Sequence, residues 1–330
     1  MNKRATVIDV AKAAGVGAST VSRHLRGVPV RPGVAKRIAD AVAKLEYQPD
    51  ETARALRGGK TKTIGVIIPQ VNNSFYAEAV QLIEDEARKR GCAVILLTHQ
   101  ETLEQQATQL ATIRRYRADG IILAPAAGST YEAIRALIQN MPVVAIDRFV
   151  SPALDSVVLR NRDAGRTATE HLLQHGYKRI ACVVSRREIT SFQQRWDGYT
   201  DAVNARRRSP ILIEAPDHEQ LRYKLSSILL SRQRPDALLC FSNRATRTAL
   251  QAYDELALPQ ASRLPMLGFD DFDMAAMVDP PISVVRQPME SMVRHAMSIL
   301  FERILGNGTL EPQNIALLGQ MIFRRSCGCS

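Results

Sequence analysis

The first residues suited to chemistry form one face of a predicted short helix near the start of the chain: Ala18, Ser19, Ser22 and Arg23. An arginine can donate two hydrogen bonds to a guanine edge, and serine hydroxyls can bind bases or phosphates. The opposite face carries Val21 and Leu25, which are expected to pack inward. This pattern is typical of a helix that enters the DNA major groove.

Two short helices joined by a tight turn are expected to position this face. Thr6 is a good N-cap, with Asp9 three residues later near the positive end of the first helix. Apolar residues recur at helical spacing up to Ala14, and Gly15 tolerates the positive φ that ends a helix. These features predict a helix-turn-helix. The alternative is a helical hairpin without a partner, which the flanking basic residues disfavour: Lys3, Arg4, Arg23 and Arg26.

The net charge of +11 is concentrated near the start of the chain. Residues 1–62 carry 13 Lys and Arg against 5 Asp and Glu, a net charge of +8. The other residues carry 31 basic and 28 acidic side chains, a net charge of +3. A basic head on a nearly neutral body is typical of a DNA-binding protein. A basic membrane-surface helix is disfavoured because these helices have no Trp or Phe on their apolar faces.

From residue 63 the sequence alternates between short apolar runs and amphipathic stretches. Strands are predicted at 64–69, 93–98, 120–124, 143–147, 179–184, 211–214, 237–242, 265–270 and 316–323. Helices are predicted at 75–90, 102–117, 130–139, 163–175, 194–206, 217–232, 244–256 and 289–305. This alternation predicts a doubly wound α/β fold, after a flexible basic linker that ends at Lys62.

Two half-sheets of this kind are expected to enclose a ligand cleft, because ligands bind outside the carboxyl ends of parallel strands. Polar and aromatic residues follow the predicted strands: Asn72, Asn73, Phe75, Tyr76, Asp147, Arg148, Asn161, Arg195, Asn243, Arg244 and Asp270. Planar polar groups beside an aromatic ring suit a polyhydroxylated small molecule. The alternative is ordinary loop chemistry, since Asn and Asp are common at strand ends.

Neither metal nor catalytic chemistry is predicted. His171 and His175 lie at i,i+4 on one predicted helix, and two histidines alone are more often a solvated face. Cys327 and Cys329 form a Cys-x-Cys pair with no second ligand pair near in sequence. No phosphate-binding loop, nucleophile elbow or His-Glu-x-x-His motif is present, so we expect neither an enzyme nor a cofactor. No run of 18 apolar residues and no apolar signal region occur, which predicts a cytoplasmic protein.

Several longer motifs point to one family. They are Ile8-Asp-Val-Ala-Lys-Ala-Ala-Gly-Val16, Thr20-Val-Ser-Arg23, Leu45-Glu-Tyr-Gln-Pro49, Ala53-Arg-Ala-Leu56, Lys62-Thr-Ile-Gly-Val66, Asp119-Gly-Ile-Ile-Leu123, Pro142-Val-Val-Ala-Ile-Asp147-Arg148, Arg195-Trp-Asp-Gly-Tyr199 and Gly268-Phe-Asp270. Through them the chain resembles transcriptional regulators of the lactose-repressor/galactose-repressor (LacI/GalR) family. The resemblance implies a homodimer with helix-turn-helix heads, a periplasmic-binding-protein-like core and a small effector, usually a sugar, that changes operator affinity.

The resemblance implies domain bounds. Residues 1–50 would form the DNA-binding domain, 51–62 the hinge helix and linker, and 63–330 the effector-binding and dimerisation core. Within the core, the N-subdomain would take about 63–160 and 289–320, and the C-subdomain about 161–285 and 321–330.

The resemblance also assigns site residues. Expected DNA contacts are Thr6, Ala18, Ser19, Thr20, Ser22, Arg23, Arg26, Ala53, Arg54 and Leu56, with Leu56 as a minor-groove wedge. Expected effector contacts are Phe75, Tyr76, Asp147, Asn161, Arg195, Asn243, Arg244, Asp270 and Gln287. Arg195 and Asp270 match the positions that most often grip effector hydroxyls.

Departures from the family pattern refine the expected function. Gly17 and Arg31 stand where serines usually cap helices, and Arg160 and Arg244 stand where Asp is common. We therefore expect a dimeric repressor of carbohydrate-utilisation genes that binds a pseudo-palindromic operator. Its effector is sugar-like, with a sugar acid or sugar phosphate suggested by the two arginines. The alternatives are a neutral sugar or, less favoured, a non-sugar metabolite.

Overall fold

The structure is a computed structural model that describes residues 5–25, 27–47, 60–306 and 311–329. It divides into a small helical unit, Met1–Thr61, and a larger α/β unit, Lys62–Ser330. Within the described ranges, no helix is both long enough and apolar enough to span a membrane.

The small unit contains α1 (Val7–Ala14), α2 (Ala18–Leu25) and α3 (Pro32–Lys44). Thr6 and Asp9 form a reciprocal capping box at the start of α1, which satisfies backbone donors that a helix start leaves open. Gly15 ends α1 with a φ of 63°, as its residue type predicts. The three helices pack around Val10, Val21 and Ile38, all fully buried.

The helices of the larger unit pack on both faces of two sheets. They are α4 (Ser74–Lys89), α5 (Leu103–Arg115), α6 (Tyr131–Ile138), α7 (Asn161–Gln174), α8 (Thr190–Ala205), α9 (His218–Leu229), α10 (Asn243–Glu255) and α11 (Met289–Leu305). Helix α11 packs its buried methionines and Leu300 against the first sheet.

The strands form two six-stranded sheets, which define a first and a second lobe. The first lobe contains β1 (Thr63–Ile68), β2 (Ala93–Thr98), β3 (Gly120–Leu123), β4 (Val143–Ile146), β5 (Asp155–Leu159) and β11 (Asn314–Leu317), in the order β11-β5-β4-β3-β1-β2. The second lobe contains β6 (Ile180–Val184), β7 (Ile211–Glu214), β8 (Ala237–Cys240), β9 (Met266–Phe269), β10 (Ser283–Arg286) and β12 (Gln320–Ile322), in the order β12-β10-β9-β8-β6-β7. Neighbouring strands run parallel except β12, which is antiparallel to β10. The predicted fold class, a helical head followed by a two-sheet α/β core, is confirmed.

Three strand predictions were wrong. Strand β10 was missed because only two of its four residues, Val284 and Val285, are apolar. Strand β5 was missed because its apolar run, Val157–Leu159, is short and follows a Pro-containing loop. The single last strand predicted at 316–323 is two strands, β11 in the first sheet and β12 in the second. Gly319 lies between them, where an added Cβ would be 2.9 Å from Val285 Cγ1 and 3.3 Å from Leu159 Cδ1. A residue without a side chain therefore lets the chain cross closely between the two sheets.

Candidate functional site

A cleft of about 220 Å³ lies between the two lobes at the carboxyl ends of their strands. This volume is below the roughly 300–1,000 Å³ that ligand pockets typically enclose. The lining residues are Pro69, Gln70, Asn73, Phe75, Tyr76, Gln100, Glu101, Asp147, Arg148, Ser185, Arg186, Ile189, Phe192, Arg195, Pro216, Asp217, His218, Ser242, Arg244 and Asp270. The cleft is therefore small and polar, with aromatic rings on its wall.

The nine predicted effector residues all lie in or directly behind this cleft. Six of them line it: Phe75, Tyr76, Asp147, Arg195, Arg244 and Asp270. The other three are buried and hydrogen-bonded to the cleft wall: Asn161, Asn243 and Gln287. Asn161 accepts a hydrogen bond from Arg195, Asn243 donates to Asn73, and Gln287 donates to Asp270.

Asp147 and Asp270 occupy equivalent places in the two lobes. Each directly follows a central parallel strand, and each has a left-handed φ, 70° for Asp147 and 64° for Asp270. Tyr76 donates its hydroxyl to Asp147 at 2.7 Å, and the Gln287 amide donates to Asp270 at 2.7 Å. Each carboxylate is therefore oriented by a neighbour and can still accept hydrogen bonds through its remaining lone pairs.

Arg195 is fixed in the second lobe with only 1% of its surface exposed. Its Nε donates to Asn161 Oδ1 at 2.8 Å, and its Nη1 donates to the Phe241 carbonyl. The guanidinium carbon lies 4.3 Å from the centre of the Phe269 ring, an arrangement that suits a cation–π interaction. An arginine held by these contacts is preorganised for a ligand, so little side-chain entropy is lost on binding.

Close helix packing brings Arg195 and Asn161 together. A Cβ added at Gly165 of α7 would lie 2.3 Å from the Arg195 carbonyl oxygen. A Cβ added at Gly198 of α8 would lie 1.9 Å from the Arg162 carbonyl oxygen. The two backbones are in contact at both glycines, so a larger residue at either position would move α8 and Arg195 away from the site.

Burial shapes the electrostatics of the cleft. It raises the pKa of Asp270 to about 6, an effect that the nearby Arg195 partly offsets. Burial also lowers the pKa of His218 to about 4, with Arg244 acting in the same direction, so this imidazole is neutral near pH 7. Burial is the largest single effect on the pKa of Glu101, but the hydrogen bonds and charge of Arg148, together with His99 and Arg186, outweigh it and lower that pKa. The pKa values of these cleft residues therefore depend on burial and on the charges of their neighbours.

Several cleft residues were not among the predicted contacts. Arg148 donates two hydrogen bonds to Glu101, at 2.6 and 2.8 Å. Glu101 comes after β2, so the strand-end rule that flagged Arg148 could also have found it. Arg186 follows β6 by two residues, so the same rule could have found it, whereas Phe192 lies within α8 and carries no comparable signal. Formal charges of the lining balance, with four arginines against four acids: Arg148, Arg186, Arg195 and Arg244 against Glu101, Asp147, Asp217 and Asp270.

The expectation that Arg160 faces the cleft was wrong. Arg160 precedes α7 at its N-cap position, half-exposed, and its Nε lies 2.8 Å from Asp163 Oδ2. Arg244 does line the cleft at the start of α10 and donates to Gln70 of the first lobe. The ion pair with Asp163 holds Arg160 on its own helix, whereas Arg244 reaches across to the first lobe.

Three further hydrogen bonds cross between the lobes. The Asn243 amide donates to Asn73 Oδ1 and to Ser74 Oγ, both at 2.9 Å. Arg186 donates to the Glu101 carbonyl at 3.3 Å. The side-chain oxygens of Asn243 and Gln287 are buried and have no hydrogen-bond partner among the described residues. Such acceptors are costly to leave unsatisfied, and the hydroxyls of a bound ligand are donors that could satisfy them.

The helix-turn-helix presents part of the predicted DNA-binding set to solvent. Ser19 and Arg23 are exposed on α2, whereas Ala18, Thr20 and Ser22 are half-buried. The exposed Thr6 accepts a hydrogen bond from the Asp9 backbone and donates to its carboxylate at 2.7 Å. The remaining predicted contacts lie outside the described residues: Arg26, Ala53, Arg54 and Leu56.

Comparisons with known proteins agree with this architecture. Residues 6–50 match the model for bacterial regulatory proteins of the lacI family, and residues 61–312 match the model for periplasmic binding proteins and the sugar binding domain of the LacI family. A ribose operon repressor from Halalkalibacterium halodurans is 29% identical over 91% of this chain and 90% of its own length. An HTH-type transcriptional repressor, PurR, from Aliivibrio fischeri strain ES114 is 29% identical over 91% of this chain and 92% of its own length.

A solved structure shares the fold over almost the whole chain. The lac repressor dimer bound to operator and the anti-inducer ONPF superposes with a TM-score of 0.86 at 22% identity, covering 98% of this chain and 99% of that one. Because the two family models together cover both the helical unit and most of the α/β unit, the chain belongs to the LacI family of bacterial regulatory proteins.

Proposed function

We propose that the protein is a repressor that binds a pseudo-palindromic operator as a homodimer and responds to a sugar or sugar derivative. In this proposal residues 1–50 bind DNA, 51–62 form the hinge and linker, and 63–330 bind the effector and dimerise. The protein performs no catalysis and acts in the cytoplasm, on carbohydrate-utilisation genes. Its similarity to a ribose operon repressor and to PurR repressors supports this function.

One observation supports a sugar or sugar derivative as the effector. A preorganised arginine, Arg195, lies in the same small cleft as two strand-end carboxylates, Asp147 and Asp270. Neighbouring hydroxyls on a sugar ring both donate and accept, so they can bridge carboxylate oxygens and guanidinium N–H groups at once. The rings of Phe75 and Phe192 line the same cleft and offer apolar surface to the C–H faces of a sugar.

The sugar acid or sugar phosphate form of this proposal now rests on Arg244. It is half-buried in the cleft wall at the start of α10, where backbone N–H groups and the helix dipole favour an anion. Arg160 no longer supports this form because its partner is Asp163. The balanced charges of the lining leave room for a neutral sugar, which the binding experiment must therefore include.

The fluorescence of Trp196 provides a direct test of effector binding. It is the single tryptophan of the chain, adjacent to Arg195, with Arg187 5.4 Å above its ring. The full-length protein should be titrated with pentoses, hexoses, sugar acids and sugar phosphates. We expect at least one of them to change the Trp196 emission and to raise the melting temperature, because ligand at about 100 times its Kd adds about 2.7 kcal/mol.

A matched pair of variants gives the titration its control. Arg195→Gln should abolish the response, whereas Arg166→Gln, on the exposed surface of α7, should retain it. Selection of operator DNA from random sequence tests the other half of the proposal. No response to any sugar or sugar derivative would reject the effector class, and failure to select a symmetric DNA site would reject the operator model.

A further inference from the structure

Two histidines and two cysteines that are distant in sequence converge on the surface of the second lobe. His171 lies in the last turn of α7 and His175 at its C-cap, whereas Cys327 and Cys329 follow β12. Their four ligand atoms, one imidazole nitrogen from each histidine and the Sγ of each cysteine, all lie within 4.8 Å of one another. The cluster joins residues about 150 positions apart, which is why neither pair alone predicted a site.

Four of the six distances between these atoms are close to the edges of a metal-centred tetrahedron, and the other two are at most 4.8 Å. His171 Nε2 lies 3.3 Å from Cys327 Sγ and 3.6 Å from Cys329 Sγ. His175 Nε2 lies 3.4 Å from Cys329 Sγ, and the two sulfur atoms are 3.4 Å apart. Zinc bonds of about 2.3 Å to sulfur and about 2.0–2.1 Å to nitrogen give tetrahedral edges of roughly 3.3–3.8 Å.

Local backbone geometry places each pair of ligands side by side. Helical i,i+4 spacing puts both imidazoles on one face of α7, with ring centres 4.6 Å apart. Gly328 separates the cysteines and has a left-handed φ of 94°, which turns both sulfur atoms toward α7. A Cβ at Gly328 would lie 2.5 Å from the Tyr177 hydroxyl, so a side chain there would not fit without movement.

Surrounding groups support the ligands. The Ser283 hydroxyl lies 3.0 Å from Cys327 Sγ, within hydrogen-bonding reach of a thiolate. The Phe323 ring packs 4.7 Å from the His171 ring and orients it. Contacts of this kind orient metal ligands and tune their affinity in known metal sites.

We propose that His171, His175, Cys327 and Cys329 bind a structural Zn²⁺ ion. Two thiolates and two imidazoles in tetrahedral arrangement are the donor set and geometry that select zinc, and four protein ligands leave no open coordination position for catalysis. The alternative use of the cysteines is a disulfide between Cys327 and Cys329, which would give the two histidines no role.

The ion would tie the end of the chain to helix α7. Ser326, in the same C-terminal turn, already anchors this segment to the second sheet by donating to the Met266 carbonyl at 2.7 Å. The other end of α7 begins at Asn161, which holds Arg195 in the effector cleft. Zinc would therefore stabilise the helix that connects the C-terminal segment with the effector site.

Metal analysis of the full-length protein, purified with reductant, tests this proposal. After removal of loosely bound metal, we expect about one zinc ion per chain in the wild type. Cys329→Ser and His175→Ala should each weaken zinc binding at least about tenfold in a chelator competition, since even supporting contacts around a metal typically contribute that much. Cys92→Ser and His295→Ala are matched controls, because they alter a half-buried cysteine and an exposed helical histidine elsewhere and should keep zinc.

Cobalt substitution gives a second measurement that needs no variant. Co²⁺ bound to the wild type should show a thiolate charge-transfer band in the near ultraviolet and intense visible bands typical of four-coordinate sites. Removing zinc should lower the melting temperature of the wild type and of both controls. The proposal is overturned if the wild type binds no zinc, if the Co²⁺ spectrum lacks the thiolate band, or if both ligand variants retain wild-type zinc affinity. A Cys327–Cys329 disulfide in zinc-free protein purified without reductant would also overturn it.

Discussion

Replacing Asp270 with asparagine should make the effector-free protein more stable and should weaken effector binding. Burial raises the pKa of Asp270 from 3.8 to about 6, so the native state holds this proton more tightly than the unfolded chain does. The native state therefore loses stability as the pH rises from about 4 to about 6, and the loss persists above that range. Asparagine carries no charge, has nearly the same size and tolerates the φ of 64° at this position.

The size of the expected gain in unfolding free energy follows from this change in the pKa of Asp270. A rise in the pKa of Asp270 from 3.8 to about 6, at roughly 1.4 kcal/mol per pH unit, corresponds to about 3 kcal/mol at pH 7 and about half of that at pH 5. The asparagine amide would face the Asn243 backbone N–H, which now donates to the carboxylate, and losing that bond costs about 1 kcal/mol. We expect Asp270→Asn to gain about 2 kcal/mol of unfolding free energy near pH 7 and less than about 1 kcal/mol near pH 5.

Urea unfolding of the wild type and Asp270→Asn at these two pH values measures the difference. The neighbouring Asp271 is the control, with the opposite expected sign. Although burial opposes it, hydrogen bonds from Arg324 and Arg286 lower the pKa of Asp271, so its charge stabilises the native state above the unfolded pKa. Asp271→Asn should therefore destabilise the protein near pH 7, by an amount that shrinks as the pH falls. A loss of stability in Asp270→Asn near pH 7, or a gain that does not change with pH, would refute the reasoning.

The other predictions concern DNA and effector specificity. Arg23→Ala should weaken operator binding by roughly 1–3 kcal/mol and relax the preference at one base pair in each half-site; an equal loss on random DNA in the same anisotropy titration would show a phosphate contact only. Leu56→Ala should reduce operator affinity and operator bending while sparing salt-sensitive non-specific binding, and unchanged bending in a gel-phasing assay would contradict the wedge role. Arg244→Ala should abolish calorimetric binding of a sugar acid or sugar phosphate and leave operator binding without ligand intact; tight binding of a neutral sugar that survives this substitution would exclude the anionic effector.

Sequence patterns predicted most helices and strands of the larger unit, because apolar residues recur at different spacings in buried parallel strands and in amphipathic helices. The predictions failed where the apolar pattern is short. The apolar run of β5 is too short to stand out beside the loop at Pro152, and the division between β11 and β12 depends on Gly319 crossing between sheets, a tertiary constraint. Strand β10, with only two apolar residues, was missed as well. All three misses lie where the chain passes from one lobe to the other.

The residues of the candidate site also divide into those that sequence patterns could predict and those that they could not. Strand-end positions such as Asp147 and Asp270 were predictable, because the ends of parallel strands meet at one edge of a sheet. Arg160 and Arg244 looked equivalent in sequence, yet only Arg244 faces the cleft, because Arg160 reaches Asp163 in its own helix. The convergence of His171 with Cys327 could not be predicted, since it depends on how the end of the chain packs on α7.

The hydrogen bonds between the lobes connect effector chemistry to lobe closure. A neutral sugar held by Asp147, Arg195 and Asp270 would bridge the two lobes and leave the bond from Arg244 to Gln70 in place. An anion bound by Arg244 would compete with Gln70 for the same guanidinium and so remove one contact between the lobes. The neutral sugar would add contacts between the two lobes. The anion would replace the contact between Arg244 and Gln70 with a contact to the ligand. Because a ligand shifts a conformational equilibrium only through its differential affinity for the two states, these two effector classes would bias the lobes differently.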